Sequence, residues 1–370
     1  MDFGLSGEQQ QLKDSAREFL NGECSTAEVR KAMASEDGRL AGLEGEIAKL
    51  GWNGLIVPEK FGGSGLAMLD MAVLLEEQGY AAMPGPFLFS SVLAASALAM
   101  GGTDELNAKW LRALAEGKAS GTVAIVEKSD SLRPADLETI ARRDGGGLRI
   151  RGVKMFVPYA NLADFIIVAA RAGEGAGDAG LFVAETGAPG VRIKMMKNLD
   201  LTRRVAEVEF SDAPAAALGG GAALYSRLLD IGAVAVAADS LGGAERALEM
   251  AVEYSKVREQ FGKPIGSFQA LKHAAAEIVS DLEPARALLW YAAYAQDSAV
   301  AEAPRVAAMA KARLSDVYSR TTDRAVLMHG GIGFTWEHDI HLWFKRSRFN
   351  ESYFGSPVYH RERVAQLGGY

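Results

Sequence analysis

The sequence is short of several things, and each shortage excludes something. It has a single cysteine, Cys24, among 370 residues, so no disulfide can close within the chain and no thiolate cluster can hold zinc. One thiol agrees with a reducing compartment, and the expected location is cytoplasmic. Basic charge is not in surplus: 40 Lys+Arg stand against 47 Asp+Glu, a formal net charge of -7. Nucleic acid, which needs a basic face, is therefore not expected as the main partner, although a local patch for a phosphorylated cofactor is still allowed. Long apolar runs are missing too. Residues 231–244 form the longest nearly uncharged stretch, but Asp239 interrupts it and it is too short and too rich in Gly and Ala to span a bilayer. It fits a helix buried on most sides. Residues 1–20 lack an apolar core behind a basic lead-in, so no signal peptide is expected. Of the five histidines, His338 and His341 are spaced to share one helix face, but without a third ligand they make no metal site.

What remains is ordinary globular composition, 49% hydrophobic and 24% charged, in a chain long enough for two or three domains. Ser6 and Gln9 have the form of a capping box, followed by Leu12, Ala16, Phe19 and Leu20 at helical spacing. Helical pattern recurs at 43–50, from Leu69 to Leu75, over 87–100 and around Trp110, Leu111 and Leu114. A breaker-rich loop occupies 57–65. The middle changes period. Six short strands are expected at 123–126, 148–151, 165–170, 181–184, 191–194 and 205–210, an antiparallel barrel or sandwich. Helical pattern then returns over 222–256, 267–297 and 303–328, with Pro284 expected to kink or break the second helix. The fold class is α+β, mainly α: a helical domain over 1–118, a β domain over 119–215 and, after the linker Gly219-Gly220-Gly221, a helical bundle over 219–370.

Two motif matches fail on context. Gly175-Ala176-Gly177-Asp178-Ala179-Gly180 has the G-x-G-x-x-G form, but the strand-like Leu181-Phe182-Val183-Ala184 follows it where a dinucleotide fingerprint must open a helix. A hairpin loop is expected there. Gly62-Gly63-Ser64-Gly65 lacks the strand-to-helix setting of a nucleophile elbow. Trp336-Glu337-His338-Asp339 is compatible with either interface or solvated surface.

Three stretches are more specific: Leu50-Gly51-Trp52-Asn53-Gly54-Leu55-Ile56-Val57-Pro58-Glu59 with Phe61-Gly62-Gly63-Ser64-Gly65-Leu66; Arg258-Glu259-Gln260-Phe261-Gly262-Lys263-Pro264-Ile265-Gly266-Ser267-Phe268-Gln269; and His329-Gly330-Gly331-Ile332-Gly333-Phe334-Thr335. In this order they resemble the acyl-CoA dehydrogenase family, over essentially the whole chain. Residues 152–157 and 199–203 resemble its middle-domain motifs more loosely. The resemblance implies that family's fold, an N-terminal helical domain, a middle β domain and a C-terminal four-helix bundle. It implies FAD at a subunit interface and oxidation of an acyl-CoA thioester to the enoyl-CoA, with a carboxylate taking the α-proton while the β-hydrogen leaves as hydride to the flavin. Such chemistry needs a desolvated base and hydrogen bonds where enolate charge develops. By resemblance Arg258 would meet the pyrophosphate of a neighbouring subunit's FAD, as its planar donor fork suits. Phe261 and Gln269 would line the same cofactor, and Gly330 and Gly331 would let the backbone approach it. Without the resemblance, Arg258 is a surface arginine with a nearby acidic partner and Gly330-Gly331 is a helix C-cap.

The departures from the pattern carry as much weight. The position at which one branch of the family has its Glu base is Phe354 here, and the other branch's position falls near Gly232 and Ala233. Neither place offers a base. The family's Thr-Glu-Pro strand end is Val126-Glu127-Lys128. Its Trp-Ile-Thr segment is Phe156-Val157-Pro158, and a Gln near the Gly-Gly pair is Leu327. Two other carboxylates are weak candidates for a relocated base: Asp239, two helical turns or roughly 10 Å beyond the second position, and Glu351, three residues before Phe354. Each has a plainer alternative, a paired structural aspartate and a surface glutamate.

The family includes bacterial heteromers in which one subunit type has lost the base and flavin contacts while still reaching into its partner's site. The expectation is a subunit of such an enzyme, α2β2, that completes a partner's FAD site, with acyl-CoA as substrate and electron-transfer flavoprotein as acceptor. Such heteromers often take bulky thioesters such as sterol side chains, which suggests lipid or steroid catabolism. The alternatives are a homotetramer with its base at Asp239 or Glu351, and a scaffold or acyl-CoA binder without redox work.

Overall fold

The computed structural model describes residues 4–40, 42–145, 147–173 and 175–370. Two compact units emerge, each assembled from separate parts of the chain: 1–30 with 68–83 and 233–370, and 31–67 with 84–232.

The first unit is helical. It contains α1 (Gly7–Glu23), most of α2 (Thr26–Ala34), α4 (Met68–Tyr80), the larger part of α7 (Gly221–Val257), α8 (Gln269–Ser298), α9 (Ala303–His329), α10 (Ile340–Ser352) and α11 (Pro357–Leu367); α3 (Leu43–Lys49) lies in the other unit. The capping box is present: Gln9 N donates to Ser6 Oγ at 3.2 Å and Ser6 N to Gln9 Oε1 at 3.0 Å. α8 runs through Pro284 as one helix, so the expected break does not occur. Ile278, Leu282, Ala285 and Leu289 are buried on both sides of the proline, and that packing outweighs the one missing backbone bond. α4 and α7 cross at backbone distance. A methyl group on Gly79 would overlap the Asp239 carbonyl, and one on Gly242 would overlap the Glu76 carbonyl, so only glycine fits at either place. Beside this crossing Glu76 and Glu77 are fully buried. Lys13 and Arg17 of α1 and Arg286 of α8 neutralise them, and Glu245 of α7 accepts from Arg286 at 3.1 Å. α7 is also long and apolar enough to cross a membrane, but 67% of its most apolar window is buried inside the protein, as in a core helix.

The second unit holds the sheet, with strands β1 (Gly121–Ala124), β2 (Ile140–Asp144), β3 (Gly147–Pro158), β4 (Phe165–Arg171), β5 (Ala179–Glu185), β6 (Val191–Met196) and β7 (Val205–Ala217). There is one strand more than expected, since Ile140-Ala141-Arg142-Arg143-Asp144 has too little apolar alternation to stand out. Pairings run β4-β2-β3-β7-β5 and return from β5 to β4, which closes a barrel around Ile150, Ile166, Val168, Phe182, Val208 and Phe210. Most pairs are antiparallel as expected. The β1–β4 pair is parallel, and β2 meets β4 through one parallel pair, Ile140 with Arg171. The glycine-rich 175–180 segment does lie in the β4–β5 hairpin, with a 3-10 turn at Ala176–Asp178 running into β5; Glu174 falls outside the described residues. The helix expected at 87–100 is π-wound over Leu88–Ala94 before it becomes α5 (Ala95–Gly101), and α6 (Asp104–Ala115) follows. The wider winding seats Ser90 Oγ to accept from Gly121 N at 2.9 Å at the start of β1.

Candidate functional site

α7 ends at Val257, and a small ribbon of β8 (Glu259–Gln260) and β9 (Lys263–Pro264) leaves it, secured where Ile265 N donates to Arg258 O at 2.8 Å. Its tip is Phe261-Gly262, at φ +56° and +75°. Two successive left-handed residues close a tight hairpin, and at a phenylalanine that conformation costs about 1–2 kcal/mol. The ring recovers little from its own chain: it is 91% exposed and meets Phe268 edge-on at 6.0 Å. Arg258 is exposed, and its guanidinium has no partner among the described residues, so the expected nearby acid is not engaged. Gln269 opens α8 and is exposed. Gly330 and Gly331 follow the end of α9. Gly330 takes φ +65°, and nothing lies within 4 Å of where either glycine would carry a β-carbon, which leaves their backbone open. The hairpin and α9 together enclose a hollow of about 420 Å³ lined by Phe261, Phe268, Leu271, Arg324 and Leu327. Leu327, in place of the family's glutamine, is 67% exposed and also borders a second hollow of about 460 Å³ with Phe334, Trp336 and Phe344.

The α10–α11 turn is built the other way. Phe354 is again left-handed, at φ +59°, and Gly355 follows at φ +99°, but here the ring is 3% exposed and packs edge-on against Tyr353 at 4.9 Å. The backbone of the turn is held from both sides. Lys311 Nζ of α9 donates to Glu351 O at 3.2 Å, Gly355 O at 2.9 Å and Ser315 Oγ at 3.0 Å, while His360 Nε2 of α11 donates to Phe354 O at 2.8 Å. Burial pushes Lys311 down to about 7 and His360 down to about 3. Nothing at position 354 can take a proton.

The two candidate bases are both engaged. Asp239 is 1% exposed. It accepts from Asn350 Nδ2 at 2.7 Å and faces Arg346 Nη1 at 3.5 Å, and Arg346 also donates to Met83 O at 3.0 Å. This is the geometry of a paired structural acid. Glu351 accepts from Ser319 Oγ at 3.0 Å and Arg348 Nη1 at 3.4 Å, with its side chain 39% exposed. Gly232 and Ala233 are buried within α7.

In the β unit the two segments that stand for flavin contacts are neighbours. Met155 N donates to Val126 O at 2.8 Å, and Lys154 Nζ donates to Glu127 Oε1 at 2.7 Å and Ile125 O at 3.2 Å. The β3–β7 register slips between Lys154 and Val157, where Phe156 takes φ +52° and stands 44% exposed. Burial raises the Glu127 carboxyl, but the Lys154 ammonium and the amides of Glu138 and Thr139 outweigh it and hold the group below the usual carboxylate range. Burial likewise takes Lys154 down to about 8 against the pull of Glu127. Sequence reasoning missed this pair. Its only signal was a lysine in a strand whose neighbours alternate, at an inward position. The β8–β9 ribbon, too short for any periodicity, was also missed.

An FAD can be tested against these two sets of groups. An unpaired guanidinium and open glycine backbone fit a pyrophosphate. Val126, Phe156 and Pro158 do not fit a flavin ring in the way the family pattern requires, since they bring no hydroxyl and Pro158 has no amide proton.

Comparison with known proteins settles the family. Residues 6–118, 122–213 and 219–368 match the N-terminal, middle and C-terminal domains of acyl-CoA dehydrogenase. The chain belongs to the acyl-CoA dehydrogenase family. Acyl-CoA dehydrogenase IpdE2 of Mycolicibacterium smegmatis is 33% identical over 98% of each chain. Among solved structures, a variant of the Tcur3481-Tcur3483 steroid ACAD aligns at TM-score 0.90 and 31% identity over 98% of each chain. The ChsE4-ChsE5 complex of Mycobacterium tuberculosis aligns at TM-score 0.91 and 28% identity over 100% of this chain and 99% of its counterpart. As an acyl-CoA dehydrogenase family member, the protein is an oxidoreductase of an FAD-dependent family, with relatives that form heteromeric complexes.

Proposed function

We propose that this chain is the base-less subunit of a heteromeric α2β2 acyl-CoA dehydrogenase, completing an FAD site whose catalytic carboxylate belongs to a different subunit. The observation that carries this is the contrast between Phe354, a buried ring at the family's base position, and Arg258, an exposed guanidinium with no partner among the described residues. When bound, FAD supplies the hydride-accepting chemistry. The chain's own residues bind and exclude. Arg258 offers a planar fork to paired phosphate oxygens, and Phe261 lays an apolar face over whatever fills the adjoining hollow. The Gly330-Gly331 backbone admits a close ligand, and Phe354 fills the turn with a buried ring that cannot take a proton. The substrate is an acyl-CoA thioester, and the kinship with the Tcur3481-Tcur3483 steroid ACAD favours a bulky, sterol-derived acyl group. Electron-transfer flavoprotein is the expected acceptor.

The test is the visible spectrum and FAD stoichiometry of the purified chain, alone and co-expressed with candidate acyl-CoA dehydrogenase partners. The expected result is a colourless, inactive chain alone and about one FAD per heterodimer in the assembly. A full complement of flavin on the chain alone, with turnover, overturns the proposal in favour of a homotetramer. No flavin in any assembly favours a non-redox binder.

A further inference from the structure

The loop 330–337 between α9 and α10 is closed at its base by two histidines. His329, the last residue of α9, is buried, and its Nδ1 donates to Ala325 O at 2.6 Å. His338, on the far side of the loop, meets it with ring centroids 4.2 Å apart and the planes tilted by 55°, and Tyr254 of α7 lies 4.8 Å from His329 and 6.3 Å from His338. The Nδ1 of His338 accepts the backbone N–H of Ile340 at 3.1 Å, the first residue of α10. A nitrogen that accepts must carry a lone pair, so this contact exists only while His338 is neutral.

We propose that His338 is an acid-operated clasp: neutral, it caps α10 and closes the 330–337 loop against His329, and protonated it lets that loop open. Three consequences of one proton act together. The acceptor becomes a donor, and the Ile340 amide loses its partner. A positive charge appears at a helix N-terminus, where the macrodipole opposes it. That charge also faces a second imidazole and Arg30 of α2. Of the other charged and titratable groups around the clasp, Asp339 is held by Arg30 at 2.7 Å, while His341 and Lys345 of α10 lie against Trp336 at 4.4 and 3.9 Å. Asp339 and Glu337 are the neighbouring acids: the charge of Asp339 is already shared with Arg30, and Glu337 is exposed and also feels Arg30. Consistently, burial first and His329 next lower the imidazole of His338 against the pull of Asp339, burial first and then Lys345 and Arg30 lower that of His341, and burial lowers that of His329. A lowered folded-state value means the closed loop is stabilised above the ordinary imidazole range and loses that stabilisation as pH falls. The clasp stands whether or not the chain carries flavin, because every group in it belongs to this chain.

Hydrogen exchange of the isolated full chain, corrected for intrinsic pH dependence and compared at about pH 8 and about pH 5.5 to bracket the imidazole range, is the test. The wild type should lose several-fold of its protection in 330–342 at the lower pH, with a ceiling of about tenfold one pH unit below the ordinary imidazole value. The interior of α9 should stay protected. His338→Asn, which keeps an acceptor but does not titrate, should hold the loop at both values. His338→Phe, which keeps the ring contact without the acceptor, should be loose at both. A pH-independent loop in the wild type, or a His338→Asn loop that loosens as much as the wild type, overturns the proposal. If His338→Asn fails to fold by circular dichroism, nitrogen chemical shifts of wild-type His338 decide. An unprotonated Nδ1 that titrates together with loop opening supports the clasp, and an imidazole already charged at about pH 8 sinks it.

Discussion

Phe261 and Phe354 share a backbone and little else. Each is a phenylalanine in the left-handed region, each is followed by a glycine, and each sits at a turn leaving a bundle helix. At Phe261 the strained backbone holds a ring away from its own chain. At Phe354 the same strain turns the ring inward, and Lys311 and His360 secure the carbonyls around it. The first conformation gains little within this chain beyond the edge contact with Phe268, which leaves the ring free for an outside partner. The second is stabilised locally and makes sense as a filled space. A turn can therefore keep its geometry after its chemistry has gone, and exposure, rather than backbone shape, tells the two cases apart.

That comparison can be broken at its functional end first. Arg258→Ala in the co-expressed enzyme should lower bound FAD by more than about tenfold, since a charge-assisted phosphate contact is worth that much, while the melting temperature of the isolated chain barely moves. Flavin content equal to wild type would detach the hairpin from cofactor binding. At the structural end, Phe354→Ala should cost about 3–5 kcal/mol in urea unfolding, as a buried aromatic deletion does. Phe261→Ala should stay within about 0.5 kcal/mol. Equal effects at the two positions would dissolve the distinction. Asp239→Asn bears on the rival base. It leaves Arg346 buried without its carboxylate and should destabilise by about 3–5 kcal/mol, yet turnover of whatever assembled enzyme folds should persist, and its abolition would restore Asp239 as a base. A control in the barrel comes next. Glu127 is held below its ordinary 4.5, so its share of stability is complete above that pH and is lost as pH falls through the lower folded value. Lys154→Met should shrink that acid-side dependence, leaving only the share held by the Glu138 and Thr139 amides, as read by denaturation at a series of pH values. Smallest of all, Glu351→Gln should change stability by under about 0.5 kcal/mol, as an exposed pair does; loss of turnover would revive it as a base.

Much of the architecture was legible because it is periodic. The Ser6 and Gln9 cap, the alternation of Val191 to Lys194 and the long bundle helices are local signals, and each appears in place. What was illegible depends on distance. Nothing near Ile140 announces a strand, because that strand exists through its partner β3. Pro284 signals a break locally and is overruled by packing on both sides. At the site, residue type identified Phe354 as no base and Asp239 as buried. The partners Arg346 and Asn350 lie more than a hundred positions away, and the left-handed backbone of Phe261 has no counterpart in its residue type.

The crossing of α4 and α7 sets a mechanical condition on all of this. Where Gly79 and Gly242 let two backbones touch, there is no side chain to yield, so a push on the hairpin at the Val257 end of α7 is expected to turn the helix about that point more readily than slide it. Asp239 lies three residues from Gly242, and on α4 Glu76 lies three from Gly79. The fulcrum thus sits among the buried charges, and a partner that grips the hairpin would be felt first as torque on those ion pairs.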